Sequence, residues 1–64
     1  MRVHFSGVAN AYGIDRHLEL PGAPRVGDFV HMLDPKDGLQ AEYRVRTVVW
    51  LMDDARDDVY VVIE

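Results

Sequence analysis

Glycine and proline interrupt the chain at short intervals, and this spacing constrains the fold more than any other feature of the sequence. Five glycines and three prolines are spread over 64 residues. Between them, no segment carries the sustained i, i+3, i+4, i+7 apolar repeat of an amphipathic helix. Valine, a residue that favours strands, is the most frequent apolar residue. The sequence therefore predicts an all-β protein made of short strands.

Alternation of apolar and polar side chains predicts five strands. They cover residues Arg2–Val8, Ile14–Leu20, Phe29–Leu33, Glu42–Met52 and Val59–Ile63. We expect these strands to form one domain, residues 1–64, because a chain this short does not divide into two cores. The expected architecture is a small five-stranded antiparallel SH3-like barrel. A twisted antiparallel sheet that dimerises is the alternative, since pairing of subunits is a common way to stabilise a small core that lacks disulfides.

The first two strands are expected to form a hairpin whose apolar side chains share one face. The pairs that this arrangement predicts are Val3–Leu20, His4–Glu19, Phe5–Leu18 and Ser6–His17. A slip of one residue would turn one apolar row outward, so the pattern favours this register.

The fourth strand changes character along its length. One row of alternate side chains is apolar except for one threonine: Tyr43, Val45, Thr47, Val49 and Leu51. The other row is polar first and apolar later: Glu42, Arg44, Arg46, Val48, Trp50 and Met52. We expect a bent strand whose far end is covered on both faces, as in a small closed barrel.

A candidate protein-binding surface follows from the apolar side chains that a small core cannot bury. If Val26, Val30 and Met32 point inward, the other side chains of the third strand point outward. Aromatic residues and methionine beside arginine are typical of binding hot spots. The predicted binding residues are Phe29, His31, Leu33, Arg44, Arg46, Trp50 and Met52. For Trp50 two interpretations stay open: it closes one end of the barrel as core, or it lies on a functional surface, either a protein-binding patch or a dimer seam.

The charge balance is acidic, with a formal net charge of −4. Proteins that bind nucleic acids usually carry a basic excess, because phosphate neutralisation supplies much of their affinity. Nucleic acid is therefore not the expected partner. The run from Asp53 to Asp58 holds four aspartates and one arginine. We expect it to be a solvated turn, since its spacing lacks the central glycine and closing glutamate of a calcium loop.

The residues that could carry chemistry are few. His4 and His17 are expected on the outer face, diagonally placed, and a metal site there would need Glu19 or Asp15 as a third ligand. Exposed histidines on strands are usually ordinary surface residues, so neither a metal nor a cofactor is predicted. The chain has no cysteine, and its only serine, Ser6, lies in no nucleophile motif. The sequence therefore predicts a protein that is not an enzyme.

Two segments carry a resemblance to known proteins. The segment Leu20–Val30 reads LPGAPRVGDFV, and Tyr43–Trp50 reads YRVRTVVW. This layout resembles small uncharacterised bacterial and phage proteins in which P-x-V-G-D-x-V precedes a Y-x-V-x-x-V-x-W strand, and it implies no activity. The step Gly27–Asp28 is similar to the turn that opens SH3-like barrels, including KOW-type domains. That similarity implies an SH3-like fold and binding to RNA or a transcription complex.

The function expected from the sequence is a non-catalytic adaptor that binds another protein or its own copy as a homodimer. A phage or mobile-element accessory protein fits this size. The alternative is a nucleic-acid-associated module that uses Arg2, Arg16, Arg44 and Arg46, with Tyr43 or Trp50 as a stacking platform. The chain has no apolar run of the length that spans a bilayer, so no membrane association is expected and the expected location is the cytoplasm.

Overall fold

A computed structural model of the protein describes residues 1–53 and 55–64. It contains five strands, which we number β1 (Arg2–Gly7), β2 (Asp15–Glu19), β3 (Phe29–Leu33), β4 (Gln40–Trp50) and β5 (Val59–Ile63), and a short 3-10 helix, Ala9–Ala11. The prediction of an all-β protein with five strands is confirmed, and β3 and β5 have the predicted bounds. Within the described residues, no helix has the length and apolar character needed to cross a membrane.

The strands form one curled sheet in the order β2-β1-β5-β4-β3. The pairs β1–β2, β4–β5 and β3–β4 are antiparallel, whereas β1 and β5 run parallel. The sheet is therefore mixed, and β2 and β3 form its two open edges. The predicted antiparallel SH3-like barrel is not confirmed. The nearly all-apolar β5 lies in the centre of the sheet, paired on both sides. Its side chains Val59, Val61 and Ile63 are buried in the core, whereas Tyr60 and Val62 on the other face are only partly buried.

The hairpin of β1 and β2 differs from the predicted register by two residues. The observed pairs are Arg2–Glu19, Val3–Leu18, His4–His17, Phe5–Arg16 and Ser6–Asp15. The turn is centred one residue nearer the N-terminus than expected, with the 3-10 helix inside it, and the Gly7 N–H donates to the Ile14 carbonyl at 2.8 Å. A shift of two residues keeps every side chain on its predicted face. It also places the two histidines directly opposite each other, where the predicted register had them diagonal.

A β-bulge lies in the middle of β4. The pairing with β5 shifts between Val45 and Thr47, so that Arg46 and Thr47 together oppose one residue of β5. The extra residue reverses the alternation beyond it. Val48 consequently packs against the core. The prediction that Thr47, Val49 and Leu51 continue the inward row is therefore wrong after Val45. The strand was also predicted to bend and to be covered on both faces at its far end, whereas the structure shows a bulged strand with one face toward the core.

The core lies on the concave face of the sheet. Its buried side chains are Val3, Phe5, Ala11, Ile14, Met32, Tyr43, Val45, Val59, Val61 and Ile63. Val30 packs against them and Met32 is buried, as predicted. Val26 is exposed, contrary to prediction. It occupies the second position of a tight turn in which Gly27 has a φ of +95° and the Asp28 N–H donates to the Arg25 carbonyl, so it never enters the strand.

Candidate functional site

Two surface features of the molecule are candidates for a functional site. No pocket forms among residues 1–53 and 55–64, so both features lie on the convex face or at the edges of the sheet. One feature is the open edge formed by β3. The other is a cluster of histidines and aspartates where β1 and β2 meet the segment before β5.

The β3 edge is apolar and uncharged apart from one histidine. On its convex face Phe29 is 64% exposed and Leu33 is 49% exposed. Between them, the imidazole of His31 lies 3.1 Å from the Glu42 carboxylate on β4. The opposite edge is different, because β2 reads Asp-Arg-His-Leu-Glu. Charged residues commonly prevent edge strands from pairing with another chain. The strand β3 has no aspartate, glutamate, lysine or arginine.

The predicted binding residues divide into two groups. Phe29, His31, Leu33, Arg44 and Arg46 all lie on the convex face, with Phe29 directly opposite Arg44 across the β3–β4 pair. Trp50 is the last residue of β4, and Met52 lies two residues beyond it.

Trp50 lies opposite the buried Val59 on the concave side. Its side chain is 53% exposed. It is therefore not part of the closed core that one of the two interpretations expected, and the bulge separates it from the β3 edge.

The four arginines of the nucleic-acid alternative do not converge. Arg2 pairs with Asp57, the Nε to Oδ1 distance being 3.2 Å. Arg44 pairs with Glu64 at 2.8 Å. Arg16 lies opposite Phe5, whose side chain points to the concave face. Tyr43 is buried and offers no stacking platform, and Trp50, the other predicted platform, is exposed on the concave side, away from the convex face that carries Arg44 and Arg46.

A row of aromatic rings crosses three strands on the convex face. His4 lies opposite His17 on one side and beside Tyr60 on the other. The two imidazoles stack with ring centroids 4.0 Å apart and planes 16° apart. The edge of the Tyr60 ring contacts His4, with centroids 5.1 Å apart. The strand pairing therefore places the two histidines side by side on the convex face.

Each stacked histidine has its own carboxylate partner. His4 Nε2 lies 2.5 Å from Asp15 Oδ1. His17 Nδ1 lies 3.0 Å from both carboxylate oxygens of Asp57. The hydrogen bond from His17, opposed in part by burial and aided by the charges of His17 and Arg2, lowers the pKa of Asp57 below its ordinary value. A lowered pKa keeps this carboxylate ionised and able to accept hydrogen bonds.

Asp57 is the residue of this cluster that the sequence did not single out. The acidic run was expected to be a solvated turn, yet Asp57 is only 7% exposed. The prediction is wrong at this residue because Arg2 and His17 supply partners that allow a carboxylate to be buried. Asp53 and Asp58 are exposed as expected, and Asp58 accepts a hydrogen bond from the Arg2 N–H. Asp54 lies outside the described residues.

No protein-family model, curated protein or solved structure matches this chain.

Proposed function

We propose that the protein is a non-catalytic binding module that works by strand addition at the β3 edge, and that its partner is a second copy of the chain. The observation that carries this proposal is the contrast between the two edges of the sheet. An exposed, apolar edge strand presents unpaired N–H and C=O groups and is a template for pairing with another chain.

The hydrogen-bonding phase of β3 supports the proposal. The Val45 N–H donates to the Asp28 carbonyl, and the Asp34 N–H donates to the Leu39 carbonyl. Because hydrogen-bonded pairs alternate along an antiparallel ladder, Val30 and Met32 direct their backbone groups at β4. The backbone groups of Phe29, His31 and Leu33 consequently face the open edge.

The sequence of β3 suits pairing with its own copy. An antiparallel pair centred on His31 places His31 opposite the partner's His31 and Phe29 opposite the partner's Leu33. In this register the edge-facing backbone groups of both strands meet each other. The exposed side chains of Phe29 and Leu33 then cover one another across the two-fold axis, and apolar cross-strand pairs of this kind stabilise sheets. The result is a continuous ten-stranded sheet that removes both exposed β3 edges.

The test compares two leucine-to-lysine variants by sedimentation equilibrium. Leu33→Lys places a charge in the proposed seam, whereas Leu39→Lys places the same charge in the β3–β4 turn, where Leu39 is 66% exposed. We expect the wild type and Leu39→Lys to dimerise with similar dissociation constants, and Leu33→Lys to dimerise at least about tenfold more weakly, since charges on edge strands oppose pairing.

Three results would contradict the proposal. A wild type that stays monomeric throughout the concentration range excludes self-association. Equal weakening in both lysine variants excludes the β3 seam. A dimer that dissociates in Trp50→Ala but persists in Leu33→Lys moves the seam to the far end of β4. Far-ultraviolet circular dichroism of each variant verifies that the monomer is folded.

A further inference from the structure

We propose that His4, Asp15 and His17 form a zinc site on the convex face of the β1–β2 hairpin. Each of the three side chains offers one ligand atom, and these atoms lie within 4.8 Å of one another. Two imidazoles and one carboxylate form a donor set typical of zinc sites that keep a fourth position open. The inference concerns the edge of the sheet opposite β3, and it does not depend on the proposed function.

The hairpin register brings the three ligands together. His4 and His17 are directly opposite each other, and Asp15 lies two residues before His17 on the same face of β2. The backbone therefore fixes all three Cβ positions before any ion binds. Ligand atoms around tetrahedral zinc are about 3.3 Å apart, given bonds of about 2.0 Å. To reach that spacing, the stacked rings rotate about the side-chain torsion next to the imidazole, which has a broad energy minimum.

Asp57 prepares His17 to be a ligand. The carboxylate of Asp57 is paired with Arg2, so it accepts the hydrogen bond and His17 Nδ1 carries the proton. In a neutral imidazole the other nitrogen, Nε2, then holds a free lone pair. A carboxylate that accepts from the distal nitrogen of a ligating histidine is the usual support of zinc-bound histidine, and its loss typically weakens metal binding 10- to 100-fold.

The exposure and chemistry of the cluster favour zinc over other ions. The side chains of His17 and Asp15 are 37% and 73% exposed, so an ion reaches them from solvent and water completes its coordination. Calcium and magnesium prefer oxygen ligands throughout. Imidazole nitrogen favours zinc and its neighbours in the transition series.

The experiment titrates the metal-free protein with zinc chloride in the presence of a competing chromogenic chelator. The variants are His4→Ala, His17→Ala and Asp15→Asn. The matched control is His31→Ala, because His31 also contacts a carboxylate across a strand pair, that of Glu42, but lies outside the cluster. Two-dimensional NMR of the imidazole nitrogens in the wild type shows which rings coordinate, whether or not every variant folds.

We expect one zinc ion per chain, with binding at least about tenfold weaker in each cluster variant and unchanged in His31→Ala. Zinc should shift the imidazole nitrogens of His4 and His17 and not those of His31. Calcium and magnesium should not compete. The proposal is overturned by the absence of saturable zinc binding, by equal weakening in His31→Ala, or by wild-type spectra in which the His4 and His17 nitrogens do not move.

Discussion

His17 Nδ1 lies 3.0 Å from both carboxylate oxygens of Asp57, although the two residues are forty positions apart in the chain. This contact joins the edge strand β2 to the segment that leads into the central strand β5. Asp57 also reaches Arg2 at the start of β1. One buried carboxylate thus ties together three parts of the chain that are separate in sequence.

The lowered pKa of Asp57 predicts how stability falls in acid. In the unfolded chain this carboxyl takes up a proton near its ordinary pKa of 3.8, whereas in the folded protein it does so at lower pH. The stabilisation is therefore fully present above that ordinary value and is lost as the pH falls through the folded pKa. We expect urea unfolding of metal-free protein to show a shallower acid dependence below pH 4 in Asp57→Asn than in the wild type. Parallel curves for the two proteins would show that Asp57 does not contribute.

Gly7 is predicted to tolerate no side chain. A Cβ at this position would lie 1.8 Å from the Ala11 carbonyl oxygen, which belongs to the backbone and cannot rotate away. Gly7→Ala should therefore lower the free energy of unfolding by about 3 kcal/mol. Gly22→Ala is the matched control, because a Cβ there meets no atom of the described residues within 4 Å; its effect should stay within about 1 kcal/mol. Thermal unfolding of both variants measures the two losses of stability. Similar losses in Gly7→Ala and Gly22→Ala would contradict the close contact between Gly7 and the Ala11 carbonyl.

The bulge in β4 predicts opposite outcomes for neighbouring valines. Val48 packs against the core, whereas Val49 is 42% exposed on the convex face. Val48→Asp should lower the free energy of unfolding by about 3 kcal/mol, since it introduces an unpaired charge beside apolar side chains. Val49→Asp should change it by less than about 1 kcal/mol. Uninterrupted alternation through Thr47 predicts the reverse order, so denaturant titration of this pair tests the bulge directly.

Tyr43 carries a buried hydroxyl that forms no hydrogen bond with any atom of residues 1–53 and 55–64. Burial, together with the nearby charges of Asp34 and Asp37, raises the pKa of this phenol. An unsatisfied buried polar group costs free energy that its removal recovers. Tyr43→Phe should therefore keep the fold and raise Tm by a few degrees. A lower Tm would indicate that the hydroxyl contributes to stability, and tyrosine absorbance at alkaline pH provides an independent check of the raised pKa.

Local sequence features predicted the strands but not their neighbours. Turn residues and alternation located β3 and β5 correctly, because both signals act over a few positions. The strand β5 is nearly all apolar, yet nothing in its composition identifies β1 as a parallel neighbour. The register of the β1–β2 hairpin was wrong by two residues for a related reason: the apolar faces are the same in both registers, and the compact 3-10 helix has no strong sequence signature.

For the candidate sites, too, the sequence predicted local features but not long-range contacts. In the sequence, the outward row of β4 becomes apolar at Val48. The bulge near Arg46 explains this change, because it turns the side chains of that row inward from Val48 onward. Phe29, His31 and Leu33 were predicted on an outward face, where the structure places them. Asp15 was considered as a third ligand for the histidines, whereas Asp57 gave no signal, because an aspartate among aspartates is ordinarily solvated. Its burial depends on long-range contacts that only the folded sheet creates.

The parallel pairing of β1 with β5 is the strand contact that joins the two ends of the chain. β1–β2 is a local hairpin, and β3, β4 and β5 follow one another as a local antiparallel meander. A lone hairpin is marginal in water, whereas three strands with a hydrophobic face are more stable. Val3–Gly7 pairs with Val59–Ile63 only when almost the whole intervening chain is closed into a loop. The entropy of closing that loop opposes this pairing, so contacts of such high sequence separation favour slow folding.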